Sequence, residues 1–334
     1  MDSSSADDDA ARSPRVAWSA VALLALVLPL FVGGYHLHLL IMAGIFSILA
    51  VSLGLVIGYA GLLSLGHTAF FGIGAYTSAL LFLHFGVSMW WGMVAAAVLA
   101  AIVAGLLGAV ILRVRGNRFV IVTIAFAEIM RLVAHNWVDV TRGQMGLAGI
   151  QPPRLELLGH VLDFNTKPTF YYLVVVIAAV SIFAISRIAK SPLGWGFLAL
   201  RENESLGESI GVSAYRHALL VFVIGAFFAG LAGSLYAHYI SFIGPDLFYF
   251  SYTTIMLVMV VMGGLGTIAG PFVGALVFTL LPEYLRVASE YRLVFFGAIL
   301  VVGILLVPGG LVELGERARA VLMAVTARRR RAGM

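Results

Sequence analysis

Apolar segments separated by short polar connections recur along the whole chain, near 16–34, 37–58, 64–83, 90–112, 119–137, 169–189, 217–241, 251–263, 270–282 and 292–311. Most have the roughly 20 residues a helix needs to cross the hydrocarbon of a bilayer. Segments 251–263 and 270–282 are shorter and must run into the glycine-rich stretches beside them. The pattern predicts an all-α polytopic membrane protein of about ten transmembrane helices. These occupy 16–311, between a polar tail at 1–15 and a basic tail at 312–334. The acidic start, with Asp2, Asp7, Asp8 and Asp9 ahead of Arg12 and Arg15, is wrong for a secretory signal and predicts an uncleaved cytoplasmic tail.

The longest polar run between two apolar segments lies in 190–216. It reads as a short amphipathic helix on the cytoplasmic face. Ser191 and Pro192 make a helix start, and Gly211 makes a stop. Leu193, Phe197, Leu200 and Ile210 are expected to form a buried stripe. Arg201, Glu202, Asn203, Glu204 and Glu208 are expected to project away, with Arg201 and Glu204 as an i,i+3 pair. Segment 138–168, rich in Gly143, Gly146, Gly149, Pro152 and Pro153, is too long for a hairpin and is expected to fold over the outer mouth.

Glycine placement predicts how the helices meet. In lipid, helices associate by packing, so small residues mark their contacts. Gly54 with Gly58, Gly270 with Gly274, and the stripe Gly225, Ala229, Gly233 are such pairs. Residues 58–76 and 263–275 are too glycine-rich for comfortable continuous helices. Non-helical backbone at membrane depth survives only inside protein or beside a watery cavity. The two stretches occupy corresponding places in the two halves, which suggests a repeated architecture around a pathway.

Composition agrees. Hydrophobic residues make up 61% of the chain and charged residues 11%, with a mean hydropathy of +1.03. Cysteine is absent, which excludes disulfides, thiol nucleophiles and zinc–thiolate sites. The +5 formal charge follows topology. With both termini inside, Lys and Arg in 12–15, 113–118, 187–216 and 317–331 outnumber those in 142–167 and 286–292 roughly threefold, the bias expected of cytoplasmic loops. The terminal RRRR run suits anionic lipid headgroups rather than nucleic acid.

Few residues are candidates for chemistry. Glu128 and Arg131 lie one turn apart inside the fifth span, where an ionisable group costs on the order of 2.5–3.5 kcal/mol. They are expected to face the interior and each other, as a structural pair or as a gate. Ser64, His67, Thr123 and Thr267 are the other pathway or gate candidates. Ser64 and His67 at i,i+3 raise a membrane-embedded hydrolase, but no carboxylate stands near to complete a triad. The eight histidines show no metal-ligand spacing. A self-powered carrier would place ion-binding groups at mid-membrane, where only Glu128 and Arg131 qualify. No GxxxxGK[ST] motif is present, so an ATP-driven transporter built on this chain must borrow its ATPase.

Five blocks in order resemble the LivM-type permeases of branched-chain amino acid ABC importers. They are GLLSLGHTAFFGIGAY (61–76), RGNRFVIVTIAFAEIMRL (115–132), RENE (201–204) with Gly211 and then GAFFAGLAGSLYAHYISFIGPD (225–246), MVVMGGLGTIAGPFVGA (259–275), and LPEYLR (281–286). The resemblance implies a type II-like importer permease in the cell (inner) membrane. It implies four kinds of partner: a second, LivH-like permease, two cytoplasmic ABC ATPase subunits, a solute-binding protein and membrane lipid. It implies no cofactor in this chain, since ATP and Mg²⁺ are used by the ATPases. It also implies that Arg201, Glu202, Asn203, Glu204, Ser205, Leu206 and Gly211 meet the ATPase. Leucine, isoleucine and valine are the implied cargo, with urea, short amides and aromatic acids carried by related permeases. The chain departs from the pattern at Gly194–Phe197, which makes the coupling surface more apolar, and at Arg142, where a TGGxxGL-like motif usually has glycine.

Overall fold

A computed structural model describes residues 27–29, 31–113, 116–157, 160–284, 297, 301, 309–315 and 317. The expected tail 1–15, most of the tail 312–334 and most of the first and last spans lie outside this set. Among the described residues, six helices are long and apolar enough to cross a membrane, and two apolar helices are shorter. The six are α1 (Gly34–Gly54, continued by a π-helix over Leu55–Tyr59), α2 (His67–Phe85), α3 (Met89–Ile111), α4 (Asn117–Asn136), α5 (Lys167–Ala189) and α8 (Ala214–Ile240). The short α6 (Pro192–Glu202) and α7 (Glu204–Ser209) precede α8. The shorter apolar pair is α9 (Phe250–Gly263) and α10 (Ala269–Tyr284). These apolar helices coincide with the spans predicted from 37–58 to 270–282.

Helix α8 is the centre of the bundle because its small residues let backbone approach backbone. A Cβ on Gly233 would stand 2.0 Å from the Phe71 carbonyl oxygen of α2. One on Gly230 would stand 2.6 Å from Ala100 Cβ and 2.7 Å from the Ala96 carbonyl oxygen of α3. Gly74 answers from α2, 2.1 Å from the Gly230 carbonyl oxygen by the same measure. The expected stripe Gly225, Ala229, Gly233 is therefore a packing face. Around it Phe70, Phe71 and Phe222 are fully buried, with Phe70 edge-on to Phe222 at 5.3 Å. By contrast, Trp91, Val94, Val98, Ile102, Leu106 and Val110 of α3 are exposed at helical spacing, as a lipid-facing stripe requires.

Both glycine-rich stretches break where expected. α1 ends in its π-turn, residues 60–66 are non-helical, and α2 starts at His67. Residues 264–268 interrupt the second stretch, with Gly264 at φ 130° and Gly266 at φ 80°, left-handed backbone that glycine alone adopts without strain. The two breaks touch each other. A Cβ on Gly58 would lie 2.7 Å from Gly266 N, and one on Gly54 would lie 2.6 Å from Pro271 Cγ. The glycines after each break (72, 74, 270, 274) are helical after all. They serve close contact, Gly72 against the Phe248 ring and Gly274 against the Met259 carbonyl oxygen.

At the end of the bundle opposite α6, Lys167 Nζ donates to the Gly34 carbonyl oxygen. The long connection 137–166 covers this end. It holds a single helical turn (Val138–Thr141), a β-hairpin of β2 (Arg154–Leu157) with β3 (His160–Asp163), and β1 (Leu147–Ala148) paired antiparallel to β4 (Phe242–Ile243) after α8. Trp90 Nε1 at the start of α3 donates to the Arg154 carbonyl oxygen. The connection thus folds over one end of the bundle.

Candidate functional site

The polar run between α5 and α8 folds as two helices rather than one. Asn203 takes an extended conformation (φ −162°, ψ 109°), and its side chain accepts the Leu206 N–H to cap α7. The kink corrects the expected stripe. Phe197 is fully buried, but Ile210 is exposed because one helical period does not run through Asn203, and Leu193, one turn before Phe197 at the start of α6, is exposed as well. Small residues take the inner face in their place: a Cβ on Gly194 would meet the Ala189 carbonyl oxygen at 2.0 Å, and one on Gly196 would meet the His217 ring at 2.4 Å. Ser191 does not cap α6; its hydroxyl donates to the Ile188 carbonyl oxygen, while Pro192 occupies the first turn. Gly211, at φ 87°, follows the end of α7 as expected. Glu202, Asn203, Ser205 and Leu206 are exposed, and Glu204 is half-buried.

Arg201 behaves differently from its neighbours. Its Nη1 reaches inward and donates to the Gly58 carbonyl oxygen at 2.6 Å, and its Nε lies 3.7 Å from Glu202. The π-turn at Leu55–Tyr59 shifts the usual bonding pattern, which leaves that carbonyl able to accept from outside the helix. A Cβ on Gly61 would stand 3.2 Å from Arg201 Cγ, and one on Gly266 would stand 2.9 Å from Nη1. One side chain therefore touches both glycine breaks.

The buried polar candidates are helix-to-helix contacts. His67 is fully buried and its Nε2 meets Ser52 Oγ at 2.9 Å. Ser64 is equally buried and its Oγ has no hydrogen-bond partner among the described residues, so the two form no catalytic pair. Thr123 faces inward from α4 and accepts the Leu65 N–H at 3.1 Å. Thr267 accepts the Gly270 N–H at 3.0 Å, a cap for α10. Two further polar knots escaped sequence reasoning. Thr68 and Thr253 meet at 3.1 Å, and Thr253 donates to the Leu65 carbonyl oxygen. Ser234 donates to Ser78, which bonds His238 Nε2 at 3.0 Å, while His238 Nδ1–H donates to the Gln151 carbonyl oxygen at 2.6 Å. Serines in apolar helices carry no pattern that says which of them pair across helices.

Glu128 and Arg131 do pair. Arg131 Nε donates to both carboxylate oxygens at 3.0 and 2.9 Å, and Nη2 donates at 2.5 Å. They do not face the interior of this chain, however: the Glu128 side chain is 52% exposed and Arg131 21%. α4 is the long helix least covered by its own chain. Its buried side is the narrow strip Phe119, Thr123, Ala127, Ala134, and the pair lies off that strip. Beside the pair is a cavity of about 300 Å³ lined by Arg131, His135, Gln144, Pro245, Asp246 and Tyr249. The Arg131 guanidinium carbon sits 5.7 Å from the Tyr249 ring centre. Sequence reasoning missed Asp246 and Tyr249. The available signal was a Gly-Pro-acid triplet just ahead of a span too short to cross. Among the described residues no cluster of His, Asp or Glu is arranged to hold a metal.

Residues 35–304 match the family model described as branched-chain amino acid transport system / permease component. The chain is 33% identical over 314 residues to the high-affinity branched-chain amino acid transport system permease protein LivM of Escherichia coli, covering 88% of this chain and 74% of that one. It is 27% identical to the LivH permease of the same organism (80% and 90% covered), and 23% identical to a probable LivM permease of Methanocaldococcus jannaschii (75% and 81% covered). No solved structure matches it.

Proposed function

Because this chain belongs to the branched-chain amino acid permease family, we propose that it is one of two different permeases in an ATP-driven importer of leucine, isoleucine and valine. The observation that carries this reading is the outward-facing Glu128–Arg131 pair. Charged groups at membrane depth do not face acyl chains; they face protein or water. A second permease against α4 covers the pair and leaves a polar seam between the subunits as the pathway. The similarity to both LivM and LivH supports a pair of related, non-identical subunits.

Two ABC ATPases bind the face carrying α6 and α7, which is cytoplasmic together with both termini. Glu202, Asn203, Glu204, Ser205, Leu206 and Gly211 make that contact, helped by the exposed Trp195 and Ile210. Arg201 passes the motion inward. A solute-binding protein docks on the opposite end, over the 137–166 connection, and ATP and Mg²⁺ belong to the ATPases alone.

The test is reconstitution of this chain with a LivH-like permease, two ABC ATPases and a solute-binding protein from the same organism. ATP-dependent uptake of labelled leucine into proteoliposomes is expected. Uptake of urea or an aromatic acid without leucine would reassign the cargo. Uptake of leucine without any ATPase would overturn the mechanism.

A further inference from the structure

We infer that the cavity beside Arg131 binds the head group of an α-amino acid, its carboxylate on Arg131 and Gln144 and its ammonium on Asp246. The inference rests on the transport reading above and adds a site to it.

Depth comes first. α9 has 14 residues, about 21 Å of helix, against a hydrocarbon core of about 30 Å. The stretch 241–249 that leads into it, the two-residue β4 followed by a 3-10 turn over Pro245–Phe248, therefore dips into the membrane. Its Phe248 ring packs on Gly72, within the first two turns of α2. Irregular backbone at such depth is tolerated where it is buried in protein or lines a polar cavity. Phe248, Leu247 and Pro245 are its buried side, while Asp246 and Tyr249 are exposed towards the cavity.

The charges then select the ligand. Glu128 occupies Nε and Nη2 of Arg131, and Nη1 makes no hydrogen bond among the described residues. The Asp246 carboxylate likewise has no hydrogen bond or ion pair there. Gln144 and His135 meet only each other, at a long 3.4 Å. The cavity thus offers unused cationic and amide donors on one wall and an unused anionic acceptor on another. Tyr249 under the guanidinium holds its plane in place. A zwitterion satisfies both walls together. A carboxylic acid without an amine leaves Asp246 facing like charge, and urea leaves the Asp246 carboxylate without a counter-ion. At about 300 Å³ the cavity is at the small end of ligand pockets, which suits one free amino acid rather than a peptide.

The test uses the full reconstituted complex with saturating leucine-loaded binding protein. Asp246→Asn is expected to lower ATP-driven leucine uptake tenfold or more, the loss of one charge-assisted contact. Asp246→Glu should retain most of it, and stimulation of ATP hydrolysis by the loaded binding protein should persist in both. In the wild-type complex, free amine and free acid analogues of leucine should fail to cross when delivered at high concentration. Unchanged uptake in Asp246→Asn, or equal loss in Asn and Glu variants with a lowered thermal midpoint, overturns the site and leaves the importer reading standing. If the wild-type complex moves no leucine, the importer reading itself fails.

Discussion

Arg201→Met separates two roles that the platform residues combine. Methionine keeps an unbranched stem to pack on Gly61 but deletes the donor to the Gly58 carbonyl oxygen, a 2.6 Å bond from a charged group. Such bonds contribute about 1.5–3 kcal/mol. The side chain is 38% exposed, so water partly replaces the lost donor and the lower end, about 1.5 kcal/mol, applies. That energy multiplies local opening of the break after α1 about tenfold. The reporters are the Gly61 and Leu62 amides, which donate to the Ile57 and Val56 carbonyl oxygens at 3.1 Å each. Hydrogen exchange of the purified permease, without its ATPases, should show peptides over 56–66 losing about tenfold protection. Arg201→Lys should fall between, because an ammonium can keep one bond but not the planar fork. Unchanged exchange at 56–66 in Arg201→Met would refute the reasoning. Arg201 would then be a plain surface contact, as its sequence position alone suggests.

Gly233→Ala places a methyl 2.0 Å from the Phe71 carbonyl oxygen, and backbone cannot yield as a side-chain tip would. Overpacking typically costs 1–3 kcal/mol, and this site should reach at least the upper end, seen as lost monodisperse protein in fluorescence-detected chromatography. Arg142 sits at φ 58°, a left-handed conformation that costs a non-glycine residue roughly 1–2 kcal/mol. Arg142→Gly should therefore raise the thermal midpoint slightly, offset in part by the freer unfolded chain. Glu128→Arg and Arg131→Glu should each lower the thermal midpoint and abolish leucine uptake; the double swap should restore the midpoint by re-forming the pair but not uptake, because it leaves a carboxylate where the site needs the Arg131 guanidinium. Full return of uptake in the double swap would mean that the pair is structural alone.

The apolar spacing alone located every described span, because a helix in lipid must be apolar over its whole crossing and shows this without an alignment. The breaks were legible too, since glycine clusters are where backbone leaves the helix. Which glycines stayed helical was not. Gly72 and Gly74 differ from Gly61 only in what packs against them, and that is a tertiary fact. The Glu128–Arg131 pair followed from its i,i+3 spacing. Its direction was misread, because a cost argument says that a charge avoids lipid but not which protein surface covers it. The stripe failed beyond Asn203, at Ile210, for a local reason: Asn203 prefers to cap a helix rather than continue one. Asp246 was overlooked because its cavity exists only once segment 241–249 folds back beside α4.

These contacts form one continuous structure between the two ends of the molecule. Arg201 of α6 holds the Gly58 carbonyl at the start of the break. At the far end of that break, the Leu65 N–H donates to Thr123 of α4 and the Leu65 carbonyl accepts from Thr253 of α9. α4 carries Arg131 two turns further on, and α9 begins beside Asp246 and Tyr249. A rigid helix could not join the platform to both walls of the cavity in this way, because its backbone groups are already spent on one another. The break can, since the Leu65 N–H and C=O are not spent within a helix and reach sideways to Thr123 and Thr253. Coupling requires an element with two arrangements that each site biases, and contact alone does not supply it. The break after α1 has the properties of such an element: left-handed glycine at Gly61, side-chain rather than helical bonds at Leu65, and a buried Ser64 hydroxyl with no hydrogen-bond partner among the described residues.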